Sequence, residues 1–355
     1  MKGKTIIGVV GSVVVLVAGY ALLTVTERAD QTGLFESIDG RQSITFIMGE
    51  DKTEQPFYRL ASEHFALHPE ERTDHVVHAC RTLDHVIQYL NTSSQRGGQP
   101  WSVINIVAHG NPQTGLNLYI KEGGHKATPK RLVQAALRKD LPALQAGTVD
   151  SSTRINFWSC GIGKSPLINL ALKQLFRTDN GDSARVYCSP HFVIFHPSRE
   201  QAAPYRLKAS YWPYYFRRGY RPGNLEIAAA LRTDHPDANI DWLDALSREE
   251  PDSANAVYHG EYHIPVSYTR IYPSKGARPV FDDEGDKIRW ALSQPALTSQ
   301  IAETGIPADQ FHWTVHKIIH PLEHGTRVPA VKAIGMATVL YILREDGTHE
   351  PKVLQ

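Results

Sequence analysis

The sequence predicts an α/β fold, a three-layer α/β/α sandwich on a mostly parallel sheet, with a β-rich region after it. Two observations carry this. Compact apolar runs suited to buried strands alternate with helix-period patterns between about residues 40 and 204. Two of those runs end in residues that bear chemistry, His109-Gly110 and Ser159-Cys160-Gly161. Alternating strands and helices imply parallel strands covered on both faces, and such folds gather their chemistry outside the carboxyl ends of the strands.

The chain has 355 residues, enough for one large domain or two modest ones. Lys and Arg number 38 against 37 Asp and Glu, so no basic surplus points to a nucleic-acid partner. The three cysteines, Cys80, Cys160 and Cys188, are too few for a disulfide scaffold and lack zinc-site spacing. In an exported protein Cys80 and Cys188 have the option of pairing, although both also suit ordinary core positions.

Lys2 and Lys4 precede an uncharged run, Thr5 to Val25, that as a helix is about 30 Å long and spans a bilayer. A cleaved signal peptide has a shorter apolar core, so residues 1–30 read as a membrane anchor and stalk rather than a leader. The two lysines keep the N-terminus inside and export the bulk of the chain, to a periplasmic or extracellular location.

Ser43 to Met48 reads as the first strand, and Thr73 to Leu90 as a helix with Cys80 on its apolar face. Trp101 to Ala108 is a buried strand and Gly115 to Ile120 a short hairpin arm. Thr128-Pro129 opens a helix to about Leu137: a hydroxyl cap, then proline in the first turn. Arg154 to Trp158 is the next strand. Ser165-Pro166 repeats the helix start, with the helix over Leu167 to Phe176, and Arg185 to Phe195 is β-rich. These elements make residues 40–204 one domain, and residues 205–355 a C-terminal elaboration or second domain. There Tyr205 to Arg221 is dense in aromatics and arginine, a composition that packs across a domain or grips a partner. Leu225 to Leu231 and Trp242 to Ser247 read as short helices. Beyond Val257 β-type runs dominate, and Asp346-Gly347 offers a hairpin turn into Lys352 to Leu354.

A thiol at a strand end becomes a useful nucleophile when a nearby imidazole takes its proton. That imidazole can then protonate the leaving group, and backbone N–H groups can hold the oxyanion. The segments Val103-Ile104-Asn105-Ile106-Val107-Ala108-His109-Gly110 and Ile155-Asn156-Phe157-Trp158-Ser159-Cys160-Gly161 resemble the caspase-like superfamily of cysteine peptidases, including its gingipain, clostripain and separase branches. That family shows an apolar strand ending in His-Gly, then about fifty residues later another ending in a small residue and Cys. Between them it shows a glycine, a short alternating run and a helix, matched by Gly115-Leu116-Asn117-Leu118 and the Pro129 helix. The resemblance implies a caspase-like sandwich and amide hydrolysis of a protein or peptide through a thioester, without metal or cofactor. His109 would be base and later acid, and Cys160 the nucleophile. The Gly110 N–H, with that of Cys160, would hold the oxyanion, and Gly110 and Gly161 would let the substrate backbone come close. Gly161-Ile162-Gly163 departs from the sequence after the cysteine in caspases proper, and no residue aligns with one lining the family's specificity pocket, so no preference for cleavage after Asp, Arg or Lys carries over.

Three other patterns compete. Gly161-Ile162-Gly163-Lys164-Ser165 lies between a strand and a helix, as a phosphate-binding loop does, but Trp158 stands where that loop needs its first glycine. No G-x-S-x-G elbow occurs, which leaves Ser159 as packing beside Cys160. His312, His316, His320 and His324 recur every four residues, as do His259 and His263, yet Trp313, Val315, Ile318 and Pro321 suit a strand better than a metal-binding helix. A caspase-like module that binds a partner without cutting it fits the same motifs.

Overall fold

The computed structural model describes residues 40–51, 56–68, 73–197, 204–249, 257–322 and 326–346. The chain from Gly40 onward forms one compact unit. The expected anchor, Thr5 to Val25, the stalk and the hairpin after Asp346 lie outside the described residues. Among the described residues no helix is long and apolar enough to cross a membrane.

The central sheet is parallel throughout and has five strands: β1 (Ile44–Ile47), β2 (His75–Val77), β3 (Val103–Val107), β6 (Arg154–Trp158) and β7 (Arg185–Cys188). Their order is β2-β1-β3-β6-β7. Between β3 and β6 lie a two-strand hairpin, β4 (Gly110–Asn111) and β5 (Gly115–Leu116), and a helix. Winding proceeds outward from β1 to β2, then reverses through β3, so β1 and β3 flank a topological switch point, where crevices form at carboxyl ends.

The strands are apolar because both faces are covered. Ile44, Phe46, Ile104, Ile106, Ile155 and Phe157 face one core with Val86, Ile87 and Leu90 of α2 (Leu83–Thr92), Leu132 of α3 (Pro129–Arg138), and Ile168 and Leu172 of α4 (Pro166–Leu175). Each of these helices starts where a hydroxyl accepts an early N–H: Thr82 from His85, Thr128 from Arg131, Ser165 from Ile168. The opposite face carries Ile47, Val107 and Trp158. They pack on Tyr58, Ala61 and Phe65 of α1 (Phe57–Leu67) and on Val193 and Phe195 of β8 (Phe192–His196). Half of the expected second helix layer is therefore a strand.

On that face a polar row crosses the sheet. Asn156 donates to Asn105 Oδ1 at 3.0 Å, Asn105 donates to Thr45 Oγ1 at 3.1 Å, and Trp158 Nε1 donates to Asn105 Oδ1 at 2.9 Å. Thr45 and Asn105 are buried yet hydrogen-bonded, which is what allows them to sit in a core.

β8 belongs to a second, antiparallel sheet in the order β10-β12-β9-β8, with β9 (Tyr205–Arg217), β10 (Val257–Ile271) and β12 (Arg327–Asp346). β9 pairs with Ala337–Asp346 of β12, and β11 (His312–Pro321) with the part before it. Helices α5 (Asn224–Asp234) and α6 (Trp242–Ala245) pack on Phe216, Leu340 and Ile342. Helices α7 (Glu284–Leu292) and α8 (Pro295–Thr304) contribute Ala291, Leu297 and Ile301 to a core with Val331, Ala333 and Val339.

Several expectations need correcting. Residues 75–77 form an edge strand on β1, not the first turns of a helix; the helix waits for the Thr82 cap, and Cys80 is a buried residue of the loop between. The run Arg185 to Phe195 is two strands in two different sheets. Two helices, α7 and α8, occupy a stretch read as β-dominated. The strand expected at His312, His316 and His320 is β11, and among the described residues no group of three metal-ligating side chains occurs. Cys80 and Cys188 are buried and unpaired, in keeping with ordinary core positions rather than a disulfide.

Candidate active site

The register of the central sheet sets the geometry. Val107 of β3 pairs with Trp158 of β6, and His109 and Cys160 each lie two residues beyond that pair on neighbouring strands. Both therefore emerge at the same carboxyl edge, on strands about 4.8 Å apart. Two bonds keep the overhang together: Ala108 N–H donates to Trp158 C=O at 3.3 Å, and Ser159 Oγ donates to Ala108 C=O at 2.7 Å. Ser159 is fully buried in this role and is packing, as its sequence context suggested.

Gly110 is required by this closeness. A Cβ there would overlap Ser159 Oγ and stand 2.9 Å from Gly115 C=O. The chain then turns back through an Asn111 side chain that accepts the N–H groups of Gln113 and Thr114 at 3.0 and 2.7 Å. Asn117 N–H closes the hairpin on His109 C=O at 2.8 Å.

His109 is held from the start of α1. Its backbone N–H donates to Tyr58 Oη at 3.1 Å, and its imidazole stacks on Phe57 with ring centres 4.3 Å apart. Asp51 fixes that helix end by accepting the N–H groups of Tyr58 and Arg59, each at 2.9 Å. The imidazole keeps an exposed edge, but loss of water from its covered side lowers its pKa; the Asp51 charge opposes this less strongly. A neutral imidazole at neutral pH is fit to accept a proton.

Cys160 faces the second sheet. It packs against a cluster that includes Phe192, Tyr211 and Tyr258, on which Tyr262 and Tyr341 also pack, and its thiol donates to Val193 C=O at 3.6 Å. No hydrogen bond joins it to His109 in this arrangement. Burial pushes the thiol up to about 11. Burial also raises the surrounding tyrosines, Tyr211, Tyr258 and Tyr262 among them, and Tyr341 reaches about 12. Gln113 locks the His109 hairpin to the same sheet, accepting from Tyr262 Oη at 2.7 Å and donating to Tyr215 Oη at 3.2 Å.

The loop after Cys160 is fastened to the β7–β8 connection. Gly161 N–H donates to His191 C=O at 3.0 Å, and Gly163 N–H donates to Ser189 C=O at 2.9 Å. Gly161 takes a positive φ of 65°, and a Cβ there would stand 2.7 Å from Tyr211 Oη. The Gly161 amide is engaged by the protein. The same bonds, with Lys164 N–H on Gly161 C=O at 3.1 Å, use the amides that a phosphate-binding loop would have to offer. Sequence reading did not single out Phe57, Tyr58 or Gln113, and it placed Val193 only within a β-rich run. Tyr211 fell within the aromatic and arginine-rich run, the one cue that this segment meets something important.

The buried thiol gives a first expected result. A thiol titrating near 11 rather than 9.0 holds about 100-fold less thiolate at pH 8. Alkylation of Cys160 by iodoacetamide, mapped by peptide mass spectrometry, should be slower than that of a free cysteine by about this factor. It should rise about tenfold per pH unit until about pH 11. Rapid labelling at pH 7 would show the thiol to be open.

Comparison of the chain with family models, curated proteins and solved structures found no match.

Proposed function

We propose that this chain is a cysteine hydrolase of the caspase-like type that cleaves amide bonds in proteins or peptides through His109 and Cys160, anchored in a membrane by Thr5 to Val25. The observation that carries the reading is the equal overhang of His109 and Cys160 beyond the paired residues Val107 and Trp158, at the carboxyl edge beside the switch point. Attack in this reading requires the Cys160 side chain to turn from Val193 C=O toward His109. Such contacts are often loose before a substrate is bound.

In this reading His109 takes the thiol proton as sulfur attacks the carbonyl carbon, and Gly110 lies beside the developing oxyanion. His109 then returns the proton to the leaving amine, leaving a thioester on Cys160. Water, deprotonated by His109, releases the acid. None of these steps asks for a metal or cofactor.

A second reading, a module that binds a protein partner without cutting it, is favoured by one feature: the thiol is raised and turned to Val193. Acyloxymethyl ketone probes differing in the residue beside the warhead separate the two. With the full-length chain, the hydrolase reading expects label on Cys160 from at least one probe and its loss in His109→Ala. No label on Cys160 from any probe, in folded protein, would favour the binding module.

A further inference from the structure

The second sheet supplies a polar atom to this site that nothing in the fold uses. Tyr211 is 6% exposed, and its hydroxyl is buried with no hydrogen-bond partner. A hydroxyl left so costs about 1–3 kcal/mol, which a purely structural residue would avoid by being phenylalanine. The hydroxyl is aimed at the Cys160–Gly161 backbone, 2.7 Å from where a Gly161 Cβ would stand, and its ring packs in the cluster that holds Cys160. Any other residue at 161 would push into it, so glycine keeps the space in front of the hydroxyl clear. The Gly161 amide, turned to His191 C=O, cannot serve an oxyanion there.

We propose that the Tyr211 hydroxyl is a hydrogen-bond donor to the oxyanion that forms when Cys160 attacks a carbonyl. The inference rests on the cysteine-hydrolase reading. As the S–C bond forms and the thiol proton passes to His109, the carbonyl π pair moves onto oxygen. Tyr211 donates a hydrogen bond to that oxygen and keeps its proton. Burial holds its own pKa well above the ordinary tyrosine range, so it remains a donor at working pH. Lys164, with Nζ 3.5 Å from the centre of the Tyr211 ring, fixes the ring and strengthens the hydroxyl as a donor. The C-terminal sheet thus completes the site, since the strand that carries Tyr211, β9, is not part of the central sheet.

The test compares two reactions of Cys160 in the full-length chain and in Tyr211→Phe. Acylation by p-nitrophenyl acetate passes through an oxyanion; alkylation by iodoacetamide does not. Intact mass, with Cys160→Ala as the blank, reports both. The proposal expects the acylation rate to fall about 100-fold while alkylation stays unchanged. Thermal unfolding should show Tyr211→Phe at least as stable as the parent, because the lost hydroxyl had no partner. Equal acylation in the two proteins would overturn the proposal and leave the hydrolase reading intact. An equal fall in both reactions would also overturn it, by making Tyr211 a support for the thiol. No acylation of Cys160 in the folded parent would overturn the hydrolase reading, and the proposal with it.

Discussion

Arg41→Ala is expected to cost about 3 kcal/mol of unfolding free energy. The guanidinium sits at the amino edge of the central sheet with only 7% of its side chain exposed. Its Nε donates to Pro100 C=O at 2.8 Å, one terminal nitrogen to Ser152 Oγ at 2.6 Å, and the other to Thr153 Oγ1 at 2.9 Å and to Trp101 C=O. Both terminal nitrogens reach Asp150, each at 3.2 Å. The residue thus staples the entry of β1 to the entries of β3 and β6. Burial would raise the Asp150 carboxyl, but hydrogen bonds from Ser152 and Arg41 outweigh it and hold the group at about 2. Alanine removes the donor to Pro100 C=O and the positive charge beside Asp150, which keeps its hydrogen bonds from Ser152 and Thr153. The expected loss stays near the lower end of the range for a broken buried pair because the Asp150 side chain is 40% exposed and can recover water. Denaturant titration measures it; a loss under about 1 kcal/mol would mean that water replaces the guanidinium fully.

Gly163→Ala is expected to destabilise the chain by about 2–3 kcal/mol and, at the same time, to speed alkylation of Cys160. A Cβ at 163 would overlap the Cys188 carbonyl oxygen and stand 2.8 Å from Pro190 N. Both are backbone atoms, so relief requires the connection from β7 to β8 to retreat. That connection holds the two amide bonds from Gly161 and Gly163, and it leads into Val193, whose carbonyl accepts the thiol. As it retreats, water reaches the thiol and its pKa falls back toward 9.0. Up to about 100-fold faster labelling at fixed pH follows from the thiolate fraction alone. Loss of stability without faster labelling would show that the strain is taken up elsewhere and that the thiol is buried by other contacts.

The two site residues named from sequence lie at one edge of the sheet because the cue was local. An apolar run that ends at a polar or reactive residue marks a strand and its exit, and two such runs in an alternating pattern become neighbours in a parallel sheet. The helix starts at Pro129 and Pro166 were legible for the same reason: a hydroxyl and a proline in one turn define a cap. Where the cues conflicted, the local reading failed. Val76 and Val77 match the apolar period of the helix that follows, yet the open edge of β1 offered hydrogen bonds that a helix with Thr82 as its cap could not use. Leu297 and Ile301 sit at helix spacing in α8, but the β-rich runs around them masked a two-helix insertion.

The sequence by itself determined the parallel α/β core, the strand ends that carry His109 and Cys160, and the glycine that follows each. Each of these depends on residues within a few positions of one another. Only the tertiary structure decided what Cys160 faces. Its acceptor Val193 is 33 residues away, and Tyr211, Tyr258, Tyr262 and Tyr341 come from three strands of a second sheet. The thiol's environment is made by packing between two sheets, and a pattern read along one strand holds no record of the surface laid against it.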